Sequence, residues 1–118
     1  MTILTKAQTE QLLANGLAQR AAIDQDAGAF DFKPVVKLFT PDAQCAWLLT
    51  EIDEGTDLAF GLCDLGLGCP ELGNGSLTEH RAARGKLGLP IECDLHFVAD
   101  KNISAYADEA RTRGHIVT

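Results

Sequence analysis

The sequence predicts an α+β fold: a small antiparallel sheet with helices covering one face. Apolar residues recur at helical spacing near the start of the chain. Three short runs rich in β-branched, aromatic and leucine residues follow, and the links between them are too short for a crossover helix. Helical patterns return after residue 75. We expect one domain over residues 1–118, because a chain of this length supports a single core.

The first predicted element is an amphipathic helix over residues 6–21. Thr5 and Gln8 form a capping-box pattern just before it. Gly16 weakens this helix by about 1 kcal/mol relative to alanine. The apolar positions, which should face the sheet, are Leu12, Leu13, Leu17 and Ala21.

The next predicted elements are the strands "VVKLFT", "QCAWLLTEID" and "LAFGLCDL", which form a meander over residues 35–65. Pro41 and Gly55 supply turn chemistry between them. We expect the meander to pack against the first helix through Leu38, Leu48, Leu49, Phe60 and Leu62.

The second half of the chain predicts a loop, a short helix, a fourth strand and a closing helix. The segment "GLGCPELGNG" indicates a rigid loop that displays Glu71. Ser76 and Glu79 form a second capping box, and Gly85 is the expected end of the short helix. "LPIECDLHFVA" predicts the fourth strand and "ISAYADEARTRG" the closing helix.

The net charge of −7 argues against binding to the phosphate backbone of nucleic acids. Nearly all of this charge lies in residues 51–75, which contain no Lys or Arg. We predict that residues 51–71 form the binding face for a basic surface on a protein partner. The alternative that the acids only keep the domain soluble stays open. The predicted binding residues are Glu51, Asp53, Glu54, Asp57, Asp64 and Glu71.

The sequence predicts a cytoplasmic protein that does not interact with a membrane. The start "MTILTKAQTE" has no basic flank followed by an apolar run, and no stretch of about 18 apolar residues occurs. The cysteines should therefore be reduced thiols. Their positions are Cys45, Cys63, Cys69 and Cys93.

We expect no metal and no other cofactor. Structural zinc sites use two close pairs of ligands, and only Cys93 and His96 have such a spacing. The simplest hairpin register also places Cys45 and Cys63 on opposite faces of the sheet. A catalytic Cys69 is disfavoured because its neighbours in the sequence are acidic.

An alternative function is a small enzyme or metal-dependent hydrolase that uses Asp64, Glu71 and a histidine. The predicted register places Asp64 across from Trp47, where an indole would raise the pKa of the carboxyl. A simpler interpretation, which we favour, is that Asp64 accepts backbone N–H bonds from the glycine loop that follows. The enzyme hypothesis requires the three side chains to converge in a pocket.

Four segments resemble the bacterial family catalogued as domain of unknown function twenty-nine fifty-eight: "KLFTPDAQCAWLLTEID", "AFGLCDLGLGCPELG", "RGKLGLPIECDLHF" and "ISAYADEARTRG". The resemblance covers about residues 3–115. It implies a short protein of plasmids, phages and integrative elements, with a role in maintaining the element or meeting host defences. It implies no activity and no catalytic residue. One departure is "NGS" at 74–76, where the family pattern has an aromatic residue.

These observations favour a non-enzymatic protein-binding module of a mobile genetic element, acting through an acidic face. The small enzyme is the alternative. A DNA mimic that inhibits a host defence nuclease is a minor alternative, because six acids are few for a mimic of duplex charge.

Overall fold

The computed structural model describes residues 4–25, 28–41, 44–82 and 88–118, except for the side chain of Arg81. These residues contain three helices and five strands, which confirms the α+β class. In chain order they are α1 (Lys6–Asp24), β1 (Val36–Phe39), β2 (Ala46–Ile52), β3 (Leu58–Asp64), β4 (Glu71–Ser76), α2 (Leu77–Ala82), β5 (Glu92–Cys93) and α3 (Ile103–Arg113).

The strands form one antiparallel sheet in the order β4-β3-β2-β1-β5. The predicted meander is therefore confirmed as β1 to β3. The predicted loop at Glu71 is wrong, because "ELGNGS" pairs with β3 along its whole length. Its glycines lack the side chains by which a strand is recognised in a sequence, but the ladder uses only backbone groups.

The predicted fourth strand shrinks to the two residues of β5, which pair with β1. The carboxylate of Asp94 accepts a hydrogen bond from the backbone N–H of His96 at 2.9 Å. This local turn competes with the ladder and ends the strand.

A β-bulge at Thr50 changes the register between β2 and β3. Before it, Trp47 pairs with Cys63 and Ala46 with Asp64; after it, Ile52 pairs with Ala59. The shift of one residue moves side chains to the opposite face of the sheet. The predicted register was therefore wrong, and Asp64 does not lie across from Trp47.

Helices lie on both faces of the sheet, so the expectation of one covered face was wrong. The first core contains Leu12 of α1 together with Leu38, Trp47 and Leu49. The second core joins Leu48 and Leu62 to the buried residues of α3. The expected core residues thus divide between two cores because adjacent strand residues point to opposite faces. The exceptions are Phe60, which is half-buried, and Leu17 and Ala21, which are exposed.

The predicted capping box is complete at the start of α1, and one of its two bonds is seen at the start of α2. Thr5 and Gln8 bond reciprocally at the start of α1. The Ser76 hydroxyl accepts from the Glu79 N–H at 3.2 Å at the start of α2. The predicted end of the second helix, Gly85, lies outside the described residues. At the end of α3, Gly114 takes φ of 81°, as a glycine after a helix commonly does.

Candidate binding site beside strand β4

Two grooves flank strand β4, one on each face of the sheet. Asn74 lines both of them. We call them the acidic groove and the apolar groove, after the side chains that line each one.

The acidic groove has a volume of about 460 Å³ and lies between the second half of α1 and strands β2 to β4. Three carboxylates and one guanidinium line it, so negative charge is in excess. Ile23, which is 60% exposed, adds an apolar wall. The lining residues are Gly16, Gln19, Arg20, Ile23, Asp24, Ala29, Glu51, Asp53, Phe60 and Asn74.

Glu51 is the most enclosed carboxylate of the acidic groove. It is half-buried and accepts hydrogen bonds from Gln19 and Thr50, each at 3.3 Å. Burial raises the pKa of this carboxyl, and these two hydrogen bonds oppose the shift. The amide of Gln19 also accepts from the backbone N–H of Phe30 at 2.7 Å, which holds it beside Glu51.

Asp53 and Glu54 are exposed where the β2–β3 hairpin turns. Asp53 lies 3.8 Å from the guanidinium of Arg20, and both side chains are largely exposed. An ion pair of this kind contributes at most about 1 kcal/mol to stability. Asp53 can therefore exchange Arg20 for another cation at a small cost in free energy.

Asp57 has a structural role at the start of α2. Its carboxylate accepts the hydroxyl of Ser76 at 2.6 Å and the N–H of Thr78 at 3.4 Å. The bond from Ser76 is the main cause of its lowered pKa. Asp57 therefore completes the cap of α2 from the neighbouring hairpin.

Asp64 lies inside the protein, with 3% of its surface exposed. Its two oxygens accept the backbone N–H groups of Gly66 at 2.8 Å and Ile116 at 3.0 Å. The favoured interpretation from the sequence is therefore confirmed, and the bond to Ile116 adds a tie to the segment after α3. A partner protein cannot reach this carboxylate on the surface.

Glu71 begins β4 and is exposed on the face of the apolar groove. It pairs with Cys63, well away from the hairpin turn that carries Asp53 and Glu54. The six acids of residues 51–75 thus do not form one surface. Glu51 and Asp53 share the acidic groove with Glu54 close by, and Glu71 stands apart at the other groove.

The apolar groove has a volume of about 390 Å³. Small residues of β3 and β4, including Gly61 and Gly73, form part of its lining, and larger side chains surround them. Trp47 and His80 meet edge to face with ring centroids 5.0 Å apart. Three exposed leucines complete the groove, namely Leu65, Leu67 and Leu72.

His80 is the buried titratable residue of the apolar groove, with 8% of its surface exposed. Its Nδ1 has no hydrogen-bond partner within the described part of the chain. Burial lowers the pKa of the imidazole, so the ring is neutral at physiological pH. A neutral ring keeps this groove apolar.

The bulge at Thr50 brings Cys45 and Cys63 to the same face, where both pack against the first core. Their predicted separation onto opposite faces was wrong for this reason. All four cysteines are free thiols, and burial raises the pKa of Cys63. Among the described residues, no three His, Cys, Asp or Glu side chains are grouped to hold a metal ion.

The side chains required by the enzyme hypothesis do not converge. Asp64 lies on the α3 face, in line with Leu62, whereas Glu71 and His80 line the groove on the other face. The sheet separates them. Two other histidines, His96 and His115, lie outside both grooves.

The comparison with protein families gives one match, which covers residues 3–117 and is described as a protein of unknown function (DUF2958). The chain belongs to this family. The family expected from the sequence is thus confirmed, and the two grooves lie within the matched residues. No curated protein and no solved structure matches the chain. Within the described residues, no helix is both long enough and apolar enough to cross a membrane.

The sequence missed the part of the acidic groove that α1 supplies. Arg20, Ile23 and Asp24 come from the end of a helix far from residue 51 in the chain, and no local pattern connects the two. The apolar groove was also missed, because its glycines resemble a loop.

Proposed function

We propose that the protein is a non-enzymatic binding module that acts in the cytoplasm and holds a basic surface of a protein partner in its acidic groove. The excess of carboxylates around an exposed isoleucine is the observation that carries this proposal. A Lys or Arg side chain can pack its methylene groups on Ile23 while its charged head reaches Glu51 and Asp53.

The proposed binding residues are now fewer than the six acids of the sequence. Glu51, Asp53 and Glu54 remain, and Asp24 of α1 joins them. Asp57 and Asp64 are engaged in holding α2 and the segment after α3. This smaller set weakens the DNA-mimic alternative, since a mimic needs about one charge for every 1.7 Å of duplex axis.

Two features support a binding function over catalysis. Among the described residues that line the acidic groove, no buried histidine, cysteine or lysine lies beside the carboxylates to act as a partner in proton transfer. The neutral histidine of the other groove lies on the opposite face from Asp64. Membership in the family suggests, as part of this proposal, a role in maintaining a mobile element or meeting host defences.

The experiment has two steps. The tagged protein is used to capture partners from a bacterial host that carries the element, and mass spectrometry identifies them. The purified partner is then titrated against the wild type and against a variant with Asp53→Lys and Glu54→Lys. Asp57 is left unchanged because it caps α2. A control variant carries Glu10→Lys and Asp108→Lys, two exposed acids outside the groove with the same total change in charge.

We expect the groove variant to weaken binding at least tenfold and the control variant to change it much less. Raising the salt concentration should weaken the wild-type complex, because exposed charges are screened over about 10 Å at 0.1 M. Equal losses in the two variants would show that total charge, and not the groove, attracts the partner. Unchanged binding by a folded groove variant would refute the proposal.

A further inference from the structure

Strand β4 lies at the edge of the sheet and has one free side. Within the described residues it pairs with β3 alone. The N–H of Leu77 donates to the Asp57 carbonyl at 2.8 Å. In an antiparallel pair, alternate residues direct their backbone groups toward the neighbouring strand, so this bond determines which residues of β4 do so. Residues 71, 73 and 75 therefore bond to β3, and the N–H and C=O groups of Leu72 and Asn74 point outward.

Proteins usually protect such an edge with lysine, proline or a bulge. Strand β4 has the sequence "ELGNGS" and a regular register, so none of these devices is present in it. It is also six residues long, against two for β5 at the opposite edge. As far as the described residues go, this edge is thus open to a further strand.

The apolar groove lies beside the open edge. A Cβ atom added at Gly73 would meet no atom within 4 Å, so the space above this residue is free. His80 packs over the next glycine, where a Cβ at Gly75 would come within 3.1 Å of the imidazole.

We propose that the β4 edge binds an extended segment of the protein partner as an added strand. The outward backbone groups of Leu72 and Asn74 hydrogen-bond to it. The side chain opposite Gly73 is apolar and enters the apolar groove, and the side chain opposite Glu71 is Lys or Arg. These two side chains are two residues apart because they lie on the same face of the added strand. This inference rests on the proposed function as a protein-binding module.

Charge favours a foreign segment over a second copy of the chain. Each copy carries a net charge of −7, so two copies repel each other. A basic segment is attracted instead, and Glu71 provides a fixed cross-strand partner for one of its cations. Added strands of this kind gain affinity from the backbone and specificity from alternate side chains.

The probe is a display library of random eight-residue peptides selected on the wild-type protein. Enriched peptides should share a Lys or Arg two residues from an aliphatic side chain. One such peptide is synthesised with a fluorophore, and its dissociation constant is measured by anisotropy. Two further versions carry N-methyl groups at alternate residues. One set removes the N–H groups that would face β4, and the other removes those that would face solvent.

Three variants test the same geometry from the protein side. Asn74→Pro removes an outward N–H and leaves the bonds to β3 in place, and Asn74→Ala is its matched control. Gly73→Val fills the free space of the apolar groove. We expect Asn74→Pro and Gly73→Val to weaken the peptide at least tenfold and Asn74→Ala less than threefold. The N-methyl groups that face β4 should abolish binding, and those that face solvent should not.

The N-methylated peptides keep the test valid even if a protein variant fails to fold. The inference is overturned if the selection gives no binder or if both N-methylated peptides bind equally well. A wild-type dimer that Asn74→Pro converts to a monomer would also overturn it, because a second copy would then occupy the edge. If the captured partner responds to the Asp53→Lys and Glu54→Lys variant but not to Asn74→Pro, the proposed function stands and the added strand fails.

Discussion

The packing of α1 against β2 depends on the missing side chain of Gly16. A Cβ atom at this position would lie 1.9 Å from the carbonyl oxygen of Ile52 and 2.9 Å from its carbonyl carbon. Both atoms belong to the backbone of β2, which its pairing with Ala59 of β3 holds in place. No side-chain rotation can relieve this contact, so Gly16→Ala must move the helix away from the sheet.

The magnitude follows from two opposing effects. Alanine is favoured over glycine within a helix by about 1 kcal/mol. Overpacking a tight contact costs about 1–3 kcal/mol, and a clash with the backbone belongs at the upper end. We therefore expect Gly16→Ala to lower the free energy of unfolding by about 2 kcal/mol, which corresponds to a fall in Tm of about 8 °C for a chain of this size.

The assay is urea unfolding followed by far-UV circular dichroism, with a thermal scan beside it. Ala18→Gly is the control, since Ala18 is exposed on the same helix and should report helix propensity alone. It should lower the free energy of unfolding by about 1 kcal/mol. If Gly16→Ala is as stable as the wild type or more stable, the close approach of α1 and β2 is refuted.

Two further predictions concern groups with shifted pKa values. Asp57→Ala should lower the urea midpoint more than Asp53→Ala does, because only Asp57 caps α2. Since its pKa is lowered from 3.8, this stabilisation is present at neutral pH and should fade as the pH falls below that value. Burial of His80 lowers its pKa from 6.5, so stability should decline as the pH falls from about 7.5 to about 6, where the unfolded chain binds more protons. His80→Gln should reduce this change of stability with pH, which is measured by urea titrations at the two pH values. An unchanged pH dependence would show that His80 is not the group responsible.

Local signals in the sequence predicted the helices and the order of the meander. The capping residues Thr5 and Ser76 act on N–H groups within three residues, so their patterns are visible in the chain itself. The turn at Gly55 takes φ of 82°, as the turn chemistry required. Such features depend on short-range sterics and hydrogen bonds, which the rest of the fold leaves unchanged.

The features that were predicted wrongly or not at all depend on contacts between residues far apart in the sequence. The bulge at Thr50 is supported by Asn15 of α1, whose amide donates to the Thr50 carbonyl at 2.8 Å. No residue near position 50 in the sequence indicates this contact with α1. The charge pattern located part of the acidic groove, but it could not show that Asp57 bonds Ser76, 19 residues away, or that Asp64 bonds Ile116, 52 residues away.

The most direct test of a peptide-binding β4 edge is amide hydrogen exchange by NMR, with and without the selected peptide. In the free protein, the N–H groups of Leu72 and Asn74 should exchange rapidly, and those of Gly73 and Gly75 should be protected by their bonds to β3. At saturation with peptide, Leu72 and Asn74 should become protected as well. If the peptide binds and these two amides still exchange at their free rates, the added strand does not form, and the account of β4 as the binding edge is contradicted.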